Sequence, residues 1–126
     1  MNDSVNHHYD LEERTAHFAK DVQLFLKTIP TTLANVEYYK QLILSSGSVA
    51  ANYIEANESL GKKDFFMHIK IVKKEAKESR LWLRLLETSS ITSLEKKRNL
   101  LVHESHELTL IFASISSKQN QKSPSE

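Results

Sequence analysis

Residues 45–86 constrain the fold of this chain more than any other stretch. They hold two long helical patterns that meet at Gly61, the first dense in small residues, the second with an apolar seam beside a row of cations. Neither pattern alternates with the period of two that a half-buried strand needs. Strand-rich folds also consume turn residues, and Gly and Pro number only two each in 126 residues. The chain therefore reads as all-α, built from long helices with few breaks.

The remaining helices follow from start and stop signals. Residues 1–9 are polar and expected to be a flexible N-terminus, with one domain over 10–117 and a disordered polar tail over 118–126. Asp10 with Glu13 has capping-box spacing. Leu11, Thr15, Phe18, Val22 and Phe25 then recur at four and three, an amphipathic stripe that should end near Thr28 ahead of Pro30. A second helix is expected from Pro30, with Leu33, Val36, Tyr39, Ile43, Ser46, Ala50, Tyr53 and Asn57 on its core side. Its middle is unusual, because Ser45, Ser46, Gly47, Ser48, Ala50 and Ala51 are all small. A mid-helix glycine costs about 1 kcal/mol relative to alanine, so Gly47 and Ala50 suggest close approach of a neighbouring helix. Helix three should span 62–88, with a core stripe of Phe65, Ile69, Val72, Ala76, Ser79, Leu83 and Leu86. A second, part-apolar stripe runs through His68, Ile71, Glu75, Glu78, Trp82 and Leu85, which suggests a second neighbour, in the chain or in another subunit. Thr92 with Glu95 marks the start of helix four, whose Leu94, Leu101, Leu108 and Ile115 recur every seven residues, widened by Leu100, Ile111 and Phe112. Four helices with short connections give an antiparallel up-down four-helix bundle. So slender a bundle leaves side surface that an oligomer would cover.

Composition narrows the chemistry. No cysteine is present, which removes disulfides, thiolate metal sites and cysteine nucleophiles. No apolar run reaches membrane-spanning length and the N-terminus lacks a signal-peptide core, so a cytoplasmic location is expected. Formal charge is +1, so contact with nucleic acid must come from local clustering of cations. Such a cluster exists. Lys70, Lys73, Lys77, Arg80 and Arg84 are spaced three, four, three and four, which places them on one helix face, with Lys62, Lys63 and Lys74 close by. An acid-free row of this kind suits a phosphate backbone, because each cation–phosphate contact releases condensed counterions. The bland alternative is a solvated face partly neutralised by Glu75 and Glu78.

Other constellations are weak. His103 and His106 with Glu104 and Glu107 form the densest His/acid cluster, but neither His-Glu-x-x-His nor Glu-x-x-His is present. His7 and His8 lie in the polar N-terminus and carry no signal. No catalytic residue, metal site or cofactor is expected, and the chain is not expected to be an enzyme. Asn52 and Glu55 read as inter-helix hydrogen-bonding residues that fix register.

Three segments resemble one family. Residues 45–56 resemble its helix-two signature, small residues followed by Asn52-x-x-Glu55-Ala56. Lys62-Lys63-Asp64-Phe65 and Lys74-Glu75-Ala76-x-Glu78-Ser79-x-x-Trp82-Leu83 resemble its helix-three signature, and 104–115 its last helix. The family is the four-helix 23S rRNA intervening-sequence proteins, also labelled S23 ribosomal protein, and the resemblance spans roughly residues 10–117. It implies a helical bundle and little about activity. The related accessory protein of diversity-generating retroelements is a basic homopentameric barrel that binds nucleic acid and associates with a reverse transcriptase. That similarity implies a ring homo-oligomer, with RNA or DNA and a reverse transcriptase as candidate partners. It gives the Lys70–Arg84 row a purpose: Lys63, Lys70, Lys73, Lys77, Arg80 and Arg84 are the expected nucleic-acid contacts, while Gly47, Ala50, Asn52, Glu55 and Trp82 are expected in helix packing or subunit contact. The alternative expectation is a protein-interaction scaffold that docks a partner on the apolar second face of helix three. A remoter third reading is a metal enzyme built on His103 and His106.

Overall fold

The computed structural model describes residues 3–120, with side chains from Leu11 onward. Of the two ends read as flexible, residues 1, 2 and 121–126 lie outside the described residues, as do the side chains of His7 and His8. The elements are α1 (Asp3–Leu26), α2 (Leu33–Asn57), α3 (Lys62–Leu85), α4 (Thr92–Ser117) and a short 3-10 turn, Lys118–Asn120. No strand occurs among the described residues. Each helix packs on its chain neighbours, and α4 returns to α1. Cross-helix pairs fix the directions. Tyr38 meets Trp82, Ser45 meets Ser79 and Asn52 meets His68, so α2 and α3 run antiparallel. The architecture is the expected four-helix bundle.

Helix starts differ from the sequence reading. Helix α1 begins ahead of Asp10, which sits inside it. Helix α2 begins after Pro30, because Thr32 is its N-cap and accepts a hydrogen bond from the Asn35 amide. Helix α4 is capped at Ile91 without a side-chain bond. Glu95 accepts from Thr88 Oγ1 at 3.3 Å rather than reaching back to Thr92.

The core contains Phe18 and Val22 from α1, Leu42 and Val49 from α2, Ile69, Val72 and Leu83 from α3, and Leu108 and Phe112 from α4, all essentially without solvent contact. Tyr53 and Phe112 meet edge-to-face at 5.2 Å across this centre. The expected α1 and α3 stripes are the buried ones, with Phe65 half-buried at the end of the latter. On α2 the expected stripe is displaced. Leu33, Val36 and Tyr39 are exposed, and Asn35 and Leu42 take the inner positions. On α4, Leu100 is exposed and Ser105 is buried in line with Leu101, Leu108 and Phe112.

Asn35 explains the displacement. It is only 2 % exposed. Its Nδ2 donates to the carbonyls of Pro30 at 2.9 Å and Glu87 at 2.8 Å, and its Oδ1 accepts from the Glu87 amide at 2.8 Å. One side chain thus ties the α1–α2 link to the α3–α4 link. The second link turns on Ser89 and Ser90, with φ of 54° and 56°. Left-handed backbone at a residue with a Cβ is unfavourable by about 1–2 kcal/mol. Asn35 and Arg98, which donates to the Leu86 carbonyl at 2.9 Å, hold that turn in place.

Candidate nucleic-acid interface

Helix α3 presents its cations because its opposite side is fully used by the core. With Ile69, Val72, Ala76, Ser79 and Leu83 buried, Lys63, Lys70, Lys77 and Arg84 are exposed, and Lys73 and Arg80 half-buried. At about 1.5 Å rise per residue the row from Lys70 to Arg84 is about 20 Å long. Lys70, Lys73, Lys77, Arg80 and Arg84 form no ion pair with any described residue, whereas Lys74 meets Glu75 at 3.8 Å on the flank.

The C-terminal half of the row borders a groove between α3 and α4. Lys77, Arg80, Leu81 and Arg84 form one wall; His106 and Thr109 form the other. Arg80 Nε is sealed from solvent and has no hydrogen-bond partner among the described residues. The α3 row was readable from spacing alone. Spacing does not give His106 and Thr109 as its neighbours, because nothing local in α4 encodes its register against α3.

The residues expected to pack helices divide into two groups. Asn52 does link helices: its Oδ1 accepts from His68 Nδ1 at 3.1 Å, while its Nδ2 holds Ser48. Trp82 stacks on Tyr38 with ring centroids 6.1 Å apart. Gly47 and Glu55, by contrast, are exposed. A Cβ at Gly47 would meet nothing within 4 Å, so no helix of this chain makes the expected close approach there. That approach occurs two positions earlier, where buried Ser79 Oγ donates to Ser45 Oγ at 2.8 Å. Gly47 and half-buried Ala50 line an open groove with Ala16, Ala19 and Ile43 beside α1.

His68 and Trp82, members of the second α3 stripe, are thus occupied by α2. Glu75 lies on that same stripe, and burial, reinforced by Glu78, raises its carboxyl above the ordinary carboxylate range against the opposing pull of Lys74. A raised folded-state value favours the protonated form, so this contribution is present below the unfolded value and lost as pH rises through the folded one. Glu75→Gln should therefore raise the urea midpoint at about pH 7 and leave it unchanged near pH 3. A variant less stable at neutral pH would show that Glu75 is held by its cation instead.

His103 Nε2 lies 3.4 Å from Glu107 Oε1 on the α4 surface, away from the His106 groove wall. Among the described residues no three metal-ligating side chains gather. No helix of the described residues is long and apolar enough to cross a membrane.

No curated protein matches the chain. A solved structure does: a protein of unknown function from the S23 ribosomal protein family of Bacteroides thetaiotaomicron VPI-5482, 26% identical. The match covers 84% of this chain and 97% of that one, with a TM-score of 0.68. The family model described as 23S rRNA-intervening sequence protein matches residues 8–113, which takes in most of α1, all of α2 and α3, and α4 through Ala113. With the bundle, the helix order and the family signatures all in agreement, the chain belongs to the 23S rRNA-intervening sequence protein family.

Proposed function

We propose that this protein is a non-enzymatic nucleic-acid-binding accessory protein that contacts phosphate backbone through the α3 row. The observation that carries the reading is the set Lys70, Lys73, Lys77, Arg80 and Arg84, on one face and without an internal counter-ion among the described residues. Cations that pair with no carboxylate keep their full attraction for phosphate, and a backbone contact of this kind carries no base readout. Binding should be indifferent to sequence and steeply salt-dependent.

The test is titration of labelled RNA and DNA at low and high salt. With about four phosphates neutralised, raising salt from about 50 to 200 mM should weaken binding on the order of 100-fold. No binding at low salt by the folded protein would sink the reading.

A further inference from the structure

The groove between α3 and α4 has a volume of about 180 Å3. Sites for drug-sized ligands run to about 300 Å3 and more. This one is too small for a nucleoside and large enough for a single compact anion. Three of its six lining residues are Lys77, Arg80 and Arg84, and no carboxylate lines it. Thr109 Oγ1 already donates its proton to the Ser105 carbonyl at 2.8 Å, which leaves the donors to the cations and His106. Arg80 Nε is sealed from solvent, so a ligand in the groove meets the Arg80 guanidinium through its terminal nitrogens.

We infer that this groove seats a terminal phosphate, so that a nucleic-acid strand lying along the α3 row is held by its phosphomonoester end between Lys77, Arg80 and Arg84. The inference rests on the proposed function and goes further by naming which part of the strand the protein grips. Two features favour an end over an internal phosphate. A phosphomonoester carries about −1.5 to −2 charge at neutral pH and three acceptor oxygens, a better match to three cations than the single charge of a diester. An internal phosphate would also have to bring a nucleoside on each side into a groove that holds neither.

One short single-stranded oligonucleotide is prepared with a 5′-phosphate, a 3′-phosphate, or hydroxyls at both ends, and each is titrated at fixed salt. A phosphorylated form should bind about tenfold more tightly than the hydroxyl form, the scale of a charge-assisted hydrogen bond. Arg84→Glu, which reverses one of the three groove cations at an exposed position, should bring that ratio to about one. Lys63→Glu, outside the groove, should weaken all three forms and preserve the ratio. Equal affinity for all three forms overturns the terminal-phosphate inference and leaves backbone binding standing. A preference that survives in Arg84→Glu places the phosphate elsewhere and overturns the groove. Failure of the folded protein to bind any form overturns both readings.

Discussion

Asn35→Ala is expected to destabilise the bundle by about 3–5 kcal/mol, more than any other single polar substitution considered for this fold. The side chain is 2 % exposed and makes three hydrogen bonds to backbone groups of Pro30 and Glu87. Removing it orphans two carbonyls and one amide at once, where each buried unsatisfied group costs about 1–3 kcal/mol. Some water entry would soften that sum, which is why the lower part of the range is expected as well. Asn35→Asp should be no milder: a carboxylate keeps an acceptor for the Glu87 amide but faces two carbonyl oxygens that need donors. Thr32→Ala provides the scale. It removes an N-cap and a bond to Glu87 Oε1 at 2.9 Å, and should cost about 1 kcal/mol. Urea unfolding followed by far-UV circular dichroism reads all three. An Asn35→Ala loss no larger than that of Thr32→Ala would show that the two inter-helix links are held independently, with Asn35 incidental to both.

The same residue shows why the sequence was legible in some helices and not in others. On α3 every buried position is filled by an apolar or small residue, so spacing of apolar side chains finds Ile69, Val72, Ala76, Ser79 and Leu83 directly. On α2 a buried position is filled by Asn35, and a rule that follows apolar residues slides to Leu33, Val36 and Tyr39, which face outward. The partner that makes a buried asparagine tolerable is the Glu87 backbone, far away in sequence, and no local pattern announces it. Gly47 misled for a related reason. The cost of a glycine inside a helix points to a crowded backbone, yet the tight contact lies at Ser45, whose hydroxyl both saves space and accepts a hydrogen bond from Ser79. The cationic row was legible because it depends only on helical periodicity within α3. The groove wall formed by His106 and Thr109 depends on how α4 is shifted along α3, which is a property of the packed core.

Reversing three lysines of the row, Lys70→Glu, Lys73→Glu and Lys77→Glu together, should reduce nucleic-acid affinity by more than about 100-fold at low salt. Each reversal replaces a phosphate contact with a repulsion and should remove about 0.9 from the slope of log affinity against log salt, so the slope falls by about three. Arg80 is left in place because its Nε is sealed from solvent, so its reversal would bring folding into the result. The neighbouring Lys74–Glu75 pair is untouched, and far-UV circular dichroism should superimpose on the parent. Bulk charge needs its own control, since reversals at two units each take the formal charge from +1 to −5. Lys20→Glu, Lys27→Glu and Lys40→Glu carry the same change on exposed positions of α1 and α2 and the link between them. At about 0.1 M salt the screening length is about 10 Å, so charges placed away from a bound strand act weakly on it. The control should therefore lose no more than about tenfold and keep most of its salt slope. Equal losses in the two triple variants would mean that overall charge, and not the α3 face, governs binding. An unchanged affinity in the α3 variant would move the interface off this helix altogether.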